Sequence, residues 1–94
     1  MNANTFEDFE AEARAAGFDE ALVRQWAPET VLDTHTHAFD ADAAVIQGEM
    51  WLTCEGNTRH LVPGDTFALA REVPHAERYG PLGATYWVAR RNPR

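Results

Sequence analysis

The chain has 94 residues, a net charge of −7, a hydrophobic fraction of 45% and 11% aromatic residues. That composition describes one globular domain, too short for two and too apolar to stay disordered, with a core small enough that a metal or a partner subunit would help it. The acidic balance repels phosphate backbones and anionic lipid, which excludes nucleic acid and membrane surfaces as partners. The single cysteine, Cys54, excludes an internal disulfide and a cysteine-based zinc cluster.

The N-terminal stretch MNANTFEDFE is acidic where a secretory signal would be basic, and no apolar run approaches the roughly 20 residues of a membrane span, so a cytoplasmic location is expected. Residues 5–16 read as a helix. Thr5 is its N-cap, Asp8 completes a capping box, and Gly17 is the stop. Phe6, Phe9, Ala13 and Ala16 form one apolar face, which must cover the outside of the remaining structure or a neighbouring subunit. Asp19 to Trp26 reads as a second short helical turn closed by Pro28, giving a helical segment over residues 1–28.

From Thr30 the texture changes to Val, Thr, Phe, Tyr and Trp with turn residues between, and the β part is assigned to residues 29–94. Strands are expected near 30–38, 43–54, 58–62, 66–70, 75–79 and 84–90. Glu55-Gly56-Asn57 is read as a hairpin loop, Pro63-Gly64-Asp65 as a turn and Gly80-Pro81-Leu82-Gly83 as a wider turn. Short strands at this spacing make a sandwich or barrel. Met50, Leu52 and Cys54 alternate on one strand face as core, and the basic end Ala89 to Arg94 reads as a solvated tail.

Thr34-His35-Thr36-His37 carries the chemistry. On a strand, the His-x-His spacing puts both imidazoles on one face, a usable half of a metal site. A third ligand is wanted, and His75, opening a later strand, is the candidate. His60 has no partner at ligand spacing and reads as a surface residue. Trp51, Trp87, Phe67, Tyr79 and Tyr86 read as core or interface, while Phe39, two residues beyond His37, reads as lining a pocket mouth.

The stretch from Glu29 to Tyr79 resembles the two signature motifs of the cupin family, in its small RmlC-like form. His35, His37 and Gly48 fall on the first motif's histidines and closing glycine, with Glu29 at its opening glycine and Ala41 at its glutamate. Gly64 and His75 fall on the second motif, with Ala70, Glu72 and Tyr79 at its proline, glycine and asparagine. Val62-Pro63-Gly64-Asp65 is similar to the turn between the motifs. The resemblance implies an all-β jelly-roll barrel with a short N-terminal helical extension, a homodimer, and a divalent transition metal such as iron, nickel, zinc or manganese on His35, His37 and His75.

The family's fourth ligand is missing, since Ala41 cannot coordinate and Asp40 and Asp42 have the wrong strand parity. Three readings follow: a three-histidine site with open positions, similar to thiol dioxygenases; a carboxylate supplied by Glu77, which shares a strand face with His75; or histidines that line a pocket without metal. The bland alternative for Glu77 is a surface pairing with Arg71 or Arg78. Glu77 is also the candidate catalytic residue, because a carboxylate desolvated beside a metal serves as general base or acid. The expected function is a metal-binding cupin acting on, or binding, a small molecule; a dioxygenase-like enzyme and a non-catalytic sensor both fit, and enzyme or binder stays open.

Overall fold

The computed structural model describes residues 4–93. Helix α1 (Phe6–Ala15) starts where expected: the Thr5 hydroxyl accepts from the Asp8 N–H at 3.1 Å, and Glu7 and Asp8 occupy the electropositive first turn. It ends at Gly17, whose φ of 91° lets the Phe18 N–H turn back to the Ala13 carbonyl at 3.0 Å.

The next segment departs from the sequence reading. Residues 19–26 are not a helical turn but strand β1 (Glu20–Trp26), paired antiparallel along its whole length with the last part of strand β6 (His75–Arg91), from Glu20 opposite Arg90 to Trp26 opposite Ala84. The reason is tertiary. An unpaired edge of β6 would expose a row of N–H and C=O groups, and β1 satisfies them while turning Leu22, Arg24 and Trp26 to one face. The β structure therefore begins at Glu20 rather than at residue 29.

Strands β2 (Val31–His35), β3 (Asp40–Cys54), β4 (Asn57–Leu61) and β5 (Thr66–Leu69) complete one antiparallel sheet. Its spine is the pairing of β3 with β6; β5 and β4 add to the two halves of β3, and β1 and β2 to the two halves of β6. β6 is continuous where two strands were expected. Gly80 to Gly83 form a bulge opposite Glu49, because the register steps from Gly48 opposite Ala84 to Met50 opposite Tyr79. Gly48 has a φ of 76°, and a Cβ there would run into the Gly83 carbonyl, so this crossing of two backbones needs glycine.

The bulge bends both long strands, so that their two ends come to the same side of the molecule while their middles close the other. Inside lie Val45, Met50, Leu52, Leu61, Phe67, Tyr79 and Val88. Outside, α1 buries Phe9 and Ala13 against Trp87 and Ala89, with Phe9 and Trp87 ring centroids 5.8 Å apart. The helix face thus covers the barrel, one of the two places expected for it.

The basic end is a further correction. Ala89, Arg90 and Arg91 belong to β6 and are not a solvated tail: Ala89 is fully buried, and Arg91 donates to the Ala16 and Gly17 carbonyls at 2.9 and 3.4 Å. Arg94 lies outside the described residues. The Glu55-Gly56 hairpin is a two-residue turn with positive φ at both positions, and Asn57 already belongs to β4. Among the described residues no helix is long and apolar enough to cross a membrane.

Candidate metal centre

Two strand ends and the loop after β2 bring the histidines together. His75 opens β6 and pairs with His35 at the end of β2, while a register shift between Leu32 and His35 turns both of those residues inward despite their odd separation. His37 lies just past β2, and its carbonyl accepts from the Glu72 N–H at 2.7 Å, which ties the loop to the segment before β6. The three rings converge, with centroids 4.4 Å apart for His35 and His75, 4.9 Å for His35 and His37, and 5.0 Å for His37 and His75. One nitrogen from each lies within 4.8 Å of the others.

Their hydrogen bonds assign the tautomers. The Nδ1–H of His35 donates to the Asp33 carbonyl at 2.7 Å and that of His75 to the Val73 carbonyl at 3.0 Å. A carbonyl only accepts, so each Nδ1 carries the proton and each Nε2 presents a lone pair, the arrangement metal-binding histidines use. The Nε2 of His75 is buried and has no hydrogen-bond partner among the described residues. A buried unpaired nitrogen is costly, and a cation at the centre of the triad would satisfy it. The donor set fits a divalent transition metal. His37 is held below its ordinary value of 6.5, first by burial and then by the neighbouring His75 and His35, with Arg90 and Arg24 adding to the effect. It therefore stays in the neutral form that can ligate.

Glu77 is buried beside the triad, on the same β6 face as His75. Its Oε2 is 3.5 Å from His35 Nε2 and 4.0 Å from His75 Nε2, and its Oε1 accepts from the Tyr79 hydroxyl at 2.9 Å. No surface pairing with Arg71 or Arg78 is present. Burial and the carboxylate raise the Tyr79 hydroxyl, and burial followed by Glu77 raises that of Tyr86, so both remain protonated donors. Ala41 faces inward, at the wall of the cavity, whereas Asp40 accepts from the Arg71 N–H at 2.8 Å and Asp42 lies off the cavity. The parity argument against those two acids holds.

The cavity has about 80 Å³ of free space. Phe39 lines it and stacks on His37 at 4.8 Å, as expected for a mouth residue. His60 is exposed, bonded to Glu49 at 2.7 Å and stacked on Trp51. Trp26, Arg24, Val88 and Arg90 also line the cavity and were not singled out from sequence. Alternation from Tyr86 through Val88 to Arg90 carried that signal on β6; reading residues 19–26 as helix hid it on β1.

The comparison with solved structures decides the fold. An RmlC-like cupin from Shewanella frigidimarina superposes with a TM-score of 0.70 at 21% identity, over 80% of this chain and 67% of that one. The fold is that of the cupins. The chain is also similar to KdgF from Halomonas sp., with a TM-score of 0.66 at 24% identity over 79% of this chain and 69% of that one. The DMSP lyase DddQ from Ruegeria pomeroyi gives 0.71 at 26% identity, over 78% of this chain but 38% of the lyase. Neither a protein-family model nor a curated protein matches the chain's sequence.

Proposed function

We propose that this chain is a metal-dependent enzyme for a small molecule, with His35, His37 and His75 as ligands and Glu77 as general base or acid beside them. The observation that carries the proposal is the buried, unpaired Nε2 of His75 in the middle of three converging imidazoles. A divalent iron, nickel, zinc or manganese ion bound there would supply Lewis acidity.

The protein's own groups do the rest. The Asp33 and Val73 carbonyls orient two of the imidazoles. Tyr79 holds one oxygen of Glu77 and leaves the other facing the histidines, where it can take a proton from a bound substrate or return one. Leu32, Phe67, Leu69 and Val88 give the cavity apolar walls that limit water around that carboxylate. DddQ, which shares the fold, is named as a lyase, and that likeness supports an enzyme.

Elemental analysis of untagged protein, followed by zinc titration, tests the reading. About one equivalent of metal is expected for the native chain, and His75→Ala or His37→Ala should weaken binding more than about tenfold. Occupancy below about 0.1 equivalent with no uptake on titration refutes it. Glu77→Gln should keep its metal; loss of metal from that variant makes Glu77 a ligand instead of a base.

A further inference from the structure

The metal reading uses one wall of the cavity and leaves the other unexplained. Beyond the histidines, β1 and β6 turn Arg24 and Arg90 toward the cavity, on the face that also carries Trp26, Tyr86 and Val88. Guanidinium groups are not placed inside a small barrel without cost, so each needs a partner. Among the described residues Arg24 has none, and Arg90 is only partly satisfied. Arg24 lies over the Trp26 ring at 4.8 Å and has no carboxylate at ion-pair distance among the described residues. Arg90 reaches Glu20 only at 3.5 Å, and its buried Nε makes no hydrogen bond.

Three buried side-chain nitrogens make no close hydrogen bond among the described residues, Trp26 Nε1, His75 Nε2 and Arg90 Nε, although the Trp26 N–H also interacts with the Tyr86 hydroxyl. All three belong to residues that line this one cavity. The lone pair of His75 calls for a cation, whereas the Arg90 Nε–H calls for an acceptor. Arg90 is also tied to the triad by stacking, its guanidinium 4.5 Å over the Phe39 ring and Phe39 on His37. The lining carries two guanidiniums against one carboxylate, Glu77, whose Oε1 is already occupied by Tyr79. Arg90 also faces Glu20 from outside the lining, so on a chain of net charge −7 the cavity is less acidic than the rest of the molecule and Arg24 is the guanidinium left to meet an anion.

We propose that Arg24 and Arg90 form the anion-binding wall of the cavity and that its ligand is a small organic carboxylate, held there by its carboxylate while its other end faces the histidine triad. The planar guanidinium fork matches a carboxylate, and free space of about 80 Å³ suits a molecule of a few heavy atoms. The proposal names the substrate class of the enzyme read above, but the arginine contacts do not themselves require the metal.

The test titrates the full chain, metal-free and zinc-loaded, with pyruvate, propionate, neutral propionamide and, for the metal-free form, inorganic phosphate, followed by calorimetry. Pyruvate and propionate should bind the metal-free protein, and propionamide should not. Arg24→Gln and Arg90→Gln should each weaken carboxylate binding by at least about tenfold, as expected for a lost charged hydrogen bond, with zinc affinity retained. Arg24, being partly exposed, is the variant to rely on if the Arg90 variant does not fold. Equal binding of amide and carboxylate, a preference for phosphate, or carboxylate binding that survives Arg24→Gln overturns the proposal. Arginine-dependent carboxylate binding in a chain that takes up no zinc upholds it and refutes the metal reading alone.

Discussion

The closed end of the barrel and its open end share the long strands β3 and β6 and follow opposite rules. At the closed end Val45, Met50 and Leu61 are fully buried and apolar, packed beneath the bulge of β6. At the open end the same strands deliver His75, Glu77 and Arg90, polar groups whose burial costs stability unless a ligand meets them. The contrast teaches that stability and chemistry are divided along each strand rather than between strands. The apolar middle holds the bend, and the bend brings the costly ends together.

Cutting into the closed end should give the largest effect. Met50→Ala removes a fully buried side chain that does not line the cavity and should cost about 2–5 kcal/mol in denaturant unfolding. Its zinc stoichiometry should stay that of the native chain. A loss of zinc binding at matched folded fraction would show that the two ends are not separable.

Acid should act on the open end through His37. His37 is held below its unfolded value of 6.5, so the native state of the metal-free protein takes up its proton later than the unfolded state does. The corresponding stability is complete above pH 6.5 and lost as pH falls through the lower native value. The melting temperature of metal-free protein should therefore drop on acidification below 6.5, and His37→Gln should flatten that part of the curve. An unchanged slope in the variant would remove His37 as the titrating group.

How much of this was legible in the sequence depended on whether local or distant partners decide the conformation. His35, His37 and His75 could be read because their spacing alone places them, and Thr5, Asp8 and Gly17 because a helix cap is a local device. Residues 19–26 could not. Glu20, Ala21 and Leu22 favour helix, and what makes them a strand is the edge of β6, which lies at the far end of the chain. With β1 misread, Arg24 had no face and the second wall of the site was invisible. Gly80-Pro81-Leu82-Gly83 misled for a similar reason, since the same residues suit a turn between strands or a bulge within one.

The smallest predicted effect lies at the two motif glycines that this chain has replaced. Glu29 and Glu72 have φ of 60° and 64°, so the backbone keeps the glycine conformation although the residue has changed. A left-handed non-glycine residue costs about 1–2 kcal/mol, partly offset because glycine gives up about 0.5–1 kcal/mol more entropy on folding. Glu72→Gly should thus raise stability by up to about 1 kcal/mol in denaturant titration. Because the Glu72 N–H holds the His37 carbonyl, zinc affinity in that variant reports whether the loop keeps its place.

The pairing of β1 with β6 has a consequence for the order in which the molecule is made. Glu20 and Arg90 stand 70 residues apart and meet across the sheet, so β1 waits for the far part of β6 before it has a neighbour. Until the ribosome has released Arg90, β1 lacks this partner, and helix α1 lacks the Trp87 and Ala89 surface it covers. The triad can gather once His75 is out, but the arginine wall closes only when the far part of β6 has followed.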